Sequence, residues 1–330
     1  MRGVVEYDKP HLSFAQQLEL LKSRGLIVDD ATAAEGVLQR LGYYRFAAYA
    51  YSFRTPLSDD AQRQTSVQYR GDQFVEGTRF EWIAELAAFD RRLRATVLEG
   101  LECFELALRV QVAYVLGRRS AFAHLERETL DPVRIGTDTA SGVYGEWREK
   151  FDRARGAAVE DFITHYEQKY DGRLPIWVAI EMMDFGSLTR LLGFAPKADR
   201  REIGMSFGLG NPNIIESASK TFNYLRNVSA HHGRLWNRTL TYQIPRIPED
   251  LAPALSHFAD IPPTQQKKVY RPLTVLAYAT QRIPGVSNAV TIELRDLVEQ
   301  FPKNGGLSPE LHMGFVAGWR DLNVWQGTES

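Results

Sequence analysis

Two adjacent histidines, His231 and His232, stand in a stretch of the chain that is rich in basic residues and has no acidic one. Between Ser217 and Pro248 there is no Asp or Glu, although 41 acidic residues in 330 predict about four in such a stretch. The basic residues there are Lys220, Arg226, Arg234, Arg238 and Arg246. A guanidinium group matches phosphate oxygens with a planar set of donors, and histidine side chains exchange protons near neutral pH. This composition indicates a local site for a phosphate-containing ligand.

These groups are sufficient for cleaving RNA without a metal ion. A ribose 2′-hydroxyl attacks the adjacent phosphorus, an imidazole transfers a proton to or from a reacting oxygen, and a cation stabilises the charge that develops on the phosphate. The expected products are a 2′,3′-cyclic phosphate and a 5′-hydroxyl. DNA lacks the 2′-hydroxyl and is expected to resist this reaction.

A helix is predicted to carry the site, beginning at Asn211-Pro212 and running to about His232 or beyond. At 100° per residue, one arc of roughly 80° contains Asn223, Asn227, His231, Arg234 and Arg238. On the same helical projection, Arg226 lies about 140° from His231 around the helix axis. Either its long side chain curls toward the arc or Gly233 distorts the last turn, and the sequence leaves both possibilities open.

Helical patterns continue along most of the chain. The longest runs from about Thr78 to Gly117, with apolar residues at three- and four-residue steps and no proline. We therefore predict an all-α fold, an antiparallel helical bundle with additional N- and C-terminal helical segments. The predicted segments are an N-terminal helical region with an aromatic cluster at 1–56, a loop or linker at 57–77, the bundle at 78–240, and a looser, proline-rich extension with short helices at 241–330.

Composition excludes several classes of protein. The net charge of −1 provides no global positive field, so a polyanion would have to bind on a local patch. The single cysteine, Cys103, excludes an internal disulfide framework and a cysteine-based zinc site. Side chains of adjacent helical residues such as His231 and His232 point about 100° apart, and no acidic residue stands nearby, so we predict neither a metal site nor a cofactor. Without a signal peptide or an apolar run of membrane-spanning length, the expected location is the cytoplasm, away from any membrane.

Five stretches of the sequence, in order, resemble motifs of the Abi-like abortive-infection family (AbiD/AbiF type), which belongs to the HEPN ribonuclease superfamily. Arg226-Asn227-Val228-Ser229-Ala230-His231 fits the R-x(4–6)-H pattern of HEPN ribonucleases, within the longer string LRNVSAHHGRLWN. The other similar stretches are GYYRFAAYAYSF at 42–53, FDRRLRATVLEGLECFELALR at 89–109, LPIWVAIEMMDFGSLTRLL at 174–192 and MGFVAGW at 313–319. In the last of these, Val316 replaces the usual proline.

The resemblance implies a HEPN-like helical bundle that acts as a homodimer, with a composite active site formed by two copies. It makes Arg226 and His231 the catalytic pair and Asn227 the polar residue that commonly follows the arginine. The residues expected to bind RNA or support the site are His232, Arg234, Asn237, Arg238, Glu102, Glu105 and Arg109. The last three fall on one face of the long helix, and either glutamate is expected to orient Arg226.

The predicted function is metal-independent endoribonuclease activity in anti-phage abortive infection, with RNA as substrate. A small non-coding RNA or a regulatory protein is the expected regulatory partner. Two alternatives remain at this point, a non-catalytic HEPN-type RNA-binding module and a protein-interaction scaffold of a defence or toxin–antitoxin system. Cleavage of RNA in the presence of a chelator distinguishes the enzyme from both.

Overall fold

The regular apolar pattern in the middle of the chain forms its longest helix. In the computed structural model, which describes residues 10–58, 69–137, 142–159, 161–170 and 172–327, this helix spans Phe80–Gly117. Apolar side chains along its length are completely buried, among them Leu93, Val97, Leu101, Phe104, Leu108 and Val112. The pattern therefore predicts the helix to within two residues at its start.

The described residues are mainly helical, which confirms the predicted all-α class. The α-helices are α1 (Phe14–Ser23), α2 (Ala31–Leu41), α3 (Tyr43–Ala50), α4 (Phe80–Gly117), α5 (Pro132–Ile135), α6 (Val143–Ala157), α7 (Asp161–Tyr170), α8 (Ile176–Ala179), α9 (Phe185–Phe194), α10 (Lys197–Met205), α11 (Pro212–Ala230), α12 (Tyr270–Thr280), α13 (Ala289–Glu299), α14 (Pro309–Met313) and α15 (Asn323–Gln326). Short 3-10 helices occupy Tyr51–Phe53, Arg127–Thr129, Ile180–Met182, Pro253–Asp260, Asn304–Gly306 and Trp319–Asp321. The strands are β1 (Arg54–Pro56) and β2 (Arg70–Phe74).

Strand β2 corrects part of the prediction for residues 57–77, which was a loop or linker. β1 and β2 pair antiparallel, with Arg54 opposite Phe74. Only the last residue of β2 is buried, so no alternation of apolar and polar residues marks this strand in the sequence. Residues 59–68 of the predicted linker lie outside the described residues.

Contacts group the chain into two units. The first comprises Met1–Arg91 and Gln300–Ser308, and the second comprises Arg92–Glu299 and Pro309–Ser330. The segments predicted from composition place their boundaries elsewhere, at residues 56, 77 and 240. The difference arises because one continuous helix, α4, takes part in both units.

The first unit is built on short helices with well-defined starts. Ser13 forms a capping box with Gln16, in which each side chain accepts a hydrogen bond from the other residue's backbone N–H. Inside the unit, the rings of Phe46 and Phe80 stack with centroids 4.4 Å apart. The hydroxyl of Tyr49 donates to the carboxylate of Asp90 at 2.6 Å. The buried members of the aromatic cluster, Phe46, Tyr49 and Phe53, thus contribute to packing.

The second unit contains the candidate site and has an aromatic core. Phe104 of α4 packs against Phe207 and Phe222, with ring centroids 4.7 and 4.8 Å apart. Most of α12 is buried in this unit, whereas the sequence predicts a looser extension after residue 240. Pro272 lies in the first turn of α12, where proline is tolerated, and burial of the apolar residues that follow it stabilises the helix.

Candidate active site

Helix α11 positions most of the predicted site residues. The side chain of Asn211 accepts a hydrogen bond from the backbone N–H of Asn213, and Pro212 occupies the first turn, as predicted. Phe222 and Leu225 are completely buried and hold the helix against the core. The other sides of α11 remain accessible for chemistry.

The end of α11 corrects the prediction that the helix continues to His232 or beyond. The last helical residue is Ala230, and His232 has a positive φ of 58°. The N–H of Gly233 donates to the carbonyl of Val228 and the N–H of His232 to that of Ser229. These two bonds form a Schellman motif, which terminates a helix through one left-handed residue. Histidine tolerates that conformation better than most residues, so the motif forms without glycine at this position.

Because the helix ends at Ala230, the arc of site residues predicted from the sequence is not continuous. Arg234 and Arg238 follow the end of the helix and do not share a helical face with His231. Arg238 folds back instead, with Nη1 donating to the hydroxyl of Tyr224 at 2.8 Å and Nε donating to the carbonyl of Arg234 at 2.7 Å. The prediction of a shared face for Arg234 and Arg238 was wrong because it assumed helical geometry beyond the point where the backbone reverses.

Asn237 has a structural contact of its own. Its φ is 50°, and its Oδ1 accepts a hydrogen bond from Nζ of Lys268 at 2.5 Å. Burial, together with the nearby charge of Arg234, lowers the pKa of Lys268. Asn237 therefore ties the segment after α11 to the chain that precedes α12.

Arg226 lies in an open cleft between α11 and α4. Its Nε is 4.0 Å from Oε2 of Glu105, and its Nη1 donates to Oδ1 of Asn227 at 3.2 Å. The side chain remains 39% exposed. The cleft has a volume of about 300 Å³ and is lined by Leu98, Glu102, Glu105, Leu106, Arg109 and Arg226. A guanidinium that is fixed on one side and open on the other can bind a phosphate group.

A second arginine holds the carboxylate beside Arg226. Oε1 of Glu105 accepts a hydrogen bond from Nη2 of Arg109 at 2.6 Å, and Nη1 of Arg109 donates to the carbonyl of Ile180 at 2.5 Å. Both side chains of this ion pair are largely buried. Glu102 lines the same cleft but is exposed. The structure thus brings together the three α4 residues and Arg226.

His231 is not joined to Arg226 within the chain. It is the C-cap of α11, and its side chain is exposed. Within the described parts of the chain, its imidazole forms no hydrogen bond or ion pair. Because α11 is regular up to Ala230, the angular separation of about 140° between Arg226 and His231 remains. A single copy therefore presents the two groups on different sides of one helix end.

A buried ion cluster anchors α11 near its middle. The carboxylate of Glu216 accepts hydrogen bonds from Arg200 at 2.8 Å and Lys220 at 2.7 Å, and Arg134 approaches to 3.2 Å. Burial raises the pKa of Glu216, but these cations outweigh that effect and hold it below its ordinary value. The cluster fixes α11 against α10 and thereby the direction in which Arg226 and Asn227 point.

Asn227 lines a second, larger groove. This groove has a volume of about 850 Å³ and is lined partly by Lys150, Arg153, Arg190 and Tyr242. The sequence did not single out these four residues, although Arg190 lies within the motif at 174–192, because they come from three separate segments of the chain. In the sequence these residues are distinguished only by their basic or aromatic side chains, and such side chains are too common on protein surfaces to indicate a groove.

Across residues 10–327, leaving out the gaps in the description, no helix is long and apolar enough to cross a bilayer. The same described residues contain no group of three or more His, Cys, Asp or Glu side chains arranged to hold a metal ion.

A family model described as "Abi-like protein" matches residues 36–237, a range that begins within α2, contains α3 to α11 completely and includes the whole Arg226 cleft. No curated protein and no solved structure matches the chain.

Proposed function

We propose that this chain, which belongs to the Abi-like protein family and so has a role in abortive infection, acts there as a metal-independent endoribonuclease. One observation carries the proposal. Arg226 presents an exposed guanidinium in an open cleft, held from behind by Glu105 and Asn227, and His231 ends the same helix with an exposed imidazole. A phosphate-binding cation and a proton-transfer group are thus available on one element, as in the HEPN-type ribonucleases that the motif resembles.

The reaction needs two proton transfers and charge stabilisation. The 2′-oxygen of a ribose attacks phosphorus while a base removes its proton, and the bond from phosphorus to the 5′-oxygen breaks while an acid protonates that oxygen. Arg226 donates hydrogen bonds to the phosphate oxygens as negative charge develops on them. His231 performs one of the two proton transfers. The products are a 2′,3′-cyclic phosphate and a 5′-hydroxyl.

A second copy of the chain completes the site in this proposal. Within one copy no hydrogen bond joins His231 to Arg226, so a partner's histidine is needed near the Arg226 cleft. An apolar face borders that cleft on α4, where Leu106, Val110 and Tyr114 are all more than half exposed. Arg109 lines both the Arg226 cleft and a neighbouring cleft of about 440 Å³ that includes Val110, Tyr114 and Trp177. Burying this face in a homodimer would bring a second Arg/His set to the cleft.

Cleavage of labelled RNA in EDTA tests the enzyme proposal. We expect the wild type to cleave, Arg226→Ala and His231→Ala to lose cleavage by at least about 100-fold, and Arg226→Lys to retain an intermediate rate. The lysine keeps the charge but lacks the planar set of donors. RNA binding without cleavage in any sample would instead identify a non-catalytic RNA-binding module, and absence of RNA binding would favour a protein-interaction scaffold.

Mixed dimers test the composite site. Arg226→Ala and His231→Ala chains carrying different tags are co-expressed and purified through both tags. If the site pairs Arg226 of one copy with His231 of the other, one of the two sites is intact, and about half of the wild-type activity returns. If both groups act within one copy, the mixed dimer remains inactive.

Control of this activity by a small RNA or a regulatory protein is also part of the proposal. An enzyme that destroys cellular RNA has to be restrained until infection. Purification of the tagged chain from uninfected cells, followed by identification of bound RNA and protein, tests this point.

A further inference from the structure

The groove lined by Asn227 contains aromatic, carboxamide and basic side chains that have no role in the proposed chemistry of Arg226 and His231. It lies between α6, the first turns of α9 and the middle of α11, and all its walls belong to the second unit. With about 850 Å³ of space it is larger than the Arg226 cleft. Asn227 lines this groove and also accepts the hydrogen bond from Arg226, so the groove begins next to the proposed phosphate position.

Two tyrosines form one wall of the groove. The rings of Tyr224 and Tyr242 meet edge to face, with centroids 6.0 Å apart and planes at 67°. Arg238 holds Tyr224 by donating to its hydroxyl, and Tyr242 is 52% exposed. An accessible aromatic face supported by a second ring is a platform on which an unpaired nucleobase can stack.

Carboxamides are the second feature of the groove. Asn223 lies one helical turn before Asn227, and among the described residues its side chain forms no hydrogen bond. Gly186 lies beside Asn223, since a Cβ on this glycine would be 3.5 Å from Nδ2 of Asn223, an ordinary contact distance. A free carboxamide offers both donors and an acceptor, which match the polar edge of a nucleobase.

Four basic side chains surround these groups. They are Lys150, Arg153, Arg190 and Lys220, against the two carboxylates Glu146 and Glu149 in the same lining. Three of the cations have carboxylate partners, which are Asp184, Glu146 and Glu216 respectively for Lys150, Arg190 and Lys220. In the pairs of Lys150 and Arg190 both partners are at least about half exposed, and ion pairs on such surfaces contribute only about 0–1 kcal/mol. Phosphate groups can therefore compete for these two cations, whereas Lys220 is tied to the buried carboxylate of Glu216.

We propose that this groove binds an unpaired stretch of RNA beside the scissile phosphate, with a base stacked on Tyr242, its polar edge at Asn223, and the backbone along Arg153 and its neighbouring cations. The position of the cut relative to the groove rests on the proposed function, whereas the binding itself does not. The enzyme accordingly selects single-stranded RNA, because a base inside a duplex cannot reach the tyrosine face.

Fluorescence anisotropy with a labelled, unstructured eight-nucleotide RNA tests the groove, using chains that also carry His231→Ala to prevent cleavage. We expect Tyr242→Ala to weaken binding by about 5- to 150-fold and Tyr242→Phe to leave it nearly unchanged, since the ring remains. Arg153→Glu is expected to weaken binding and to reduce the salt dependence. Tyr44→Ala is the matched control, because Tyr44 is 90% exposed and belongs to the first unit.

The outcomes separate this inference from the enzyme proposal. If the wild type cleaves RNA but Tyr242→Ala changes neither affinity nor KM, the groove inference is wrong and the ribonuclease proposal stands. If Tyr242→Ala weakens binding but the wild type never cleaves, the groove stands and the ribonuclease proposal is wrong. Equal affinity for a duplex of the same length, or equal loss in Tyr44→Ala, would also overturn the groove inference.

Discussion

Oε2 of Glu105 lies 4.0 Å from Nε of Arg226, while Oε1 of the same carboxylate accepts a hydrogen bond from Arg109. One carboxylate on α4 thus stands between two arginines, one largely buried and one open to solvent. Because Arg109 fixes Glu105, the negative charge beside Arg226 has a defined position. We therefore propose that Glu105 positions Arg226.

Replacing that carboxylate tests its role. We expect Glu105→Gln to lower kcat about tenfold with little change in KM, because a partly buried ion pair that orients a group contributes on the order of 1 kcal/mol. Glu99→Gln, an exposed change on the same helix, is the control. The measurement is steady-state cleavage of labelled RNA. A loss of stability with unchanged kcat would show that Glu105 only supports the fold.

The buried cluster around Glu216 makes a prediction about stability. Glu216→Gln leaves the guanidinium of Arg200, which is only 4% exposed, without its closest carboxylate. Breaking a buried ion pair in this way is expected to lower the free energy of unfolding by about 3–5 kcal/mol. Glu202→Gln removes the exposed partner of Arg118 and is expected to cost less than about 1 kcal/mol. Urea denaturation of both variants measures the difference, and equal losses would contradict the account.

A buried histidine predicts how stability depends on pH. His124 is completely buried, neither ring nitrogen has a hydrogen-bond partner among the described residues, and burial together with the charge of Arg148 lowers its pKa to about 3. The folded chain keeps this ring neutral, whereas the unfolded chain protonates it below about pH 6.5. Stability from this group is thus present above pH 6.5 and is lost as the pH falls toward 3, by at most about 1.4 kcal/mol per pH unit.

Replacing the ring isolates this contribution. His124→Phe should flatten the pH dependence of the unfolding free energy between pH 6.5 and 4, and His11→Ala, at an exposed position, should leave it unchanged. Urea titrations at several pH values provide the measurement. If His124→Phe has the wild-type slope, the buried imidazole is not the source.

Two helical glycines are expected to respond in opposite ways to alanine. A Cβ at Gly204 would lie 2.3 Å from the carbonyl oxygen of Leu209, a contact that requires the backbone to move, whereas a Cβ at Gly36 meets nothing within 4 Å. Gly204→Ala is therefore expected to destabilise by about 1–3 kcal/mol, and Gly36→Ala, in the interior of α2, to stabilise by about 0.5–1 kcal/mol. Thermal unfolding of the two variants measures both changes in stability. Stabilisation by both substitutions would contradict the prediction for Gly204.

Local signals in the sequence predict much of the fold. The capping box at Ser13, the Asn211-Pro212 start of α11 and the apolar spacing of α4 each depend on neighbouring residues, and the structure has all three elements. The strand β2 depends instead on its pairing with β1, and no alternation of apolar and polar residues marks it in the sequence.

The same distinction applies to the site. The motif containing Arg226 and His231 is contiguous, so a sequence comparison finds it. The backbone reversal at His232 was missed because the left-handed residue is not the usual glycine. The groove around Tyr242 was missed because folding alone brings together Lys150, Arg190 and Asn223.

Removing one 2′-hydroxyl group from the substrate tests the proposed ribonuclease mechanism most directly. The purified chain is incubated in EDTA with a labelled RNA whose cut site has been mapped, and with the same RNA carrying a single 2′-deoxyribose at the nucleotide 5′ to that cut. We expect the all-ribose strand to give a 2′,3′-cyclic phosphate and a 5′-hydroxyl, and the substituted strand to stay intact at that position. Cleavage of both strands at similar rates, or products with a 3′-hydroxyl end, would contradict the proposed mechanism.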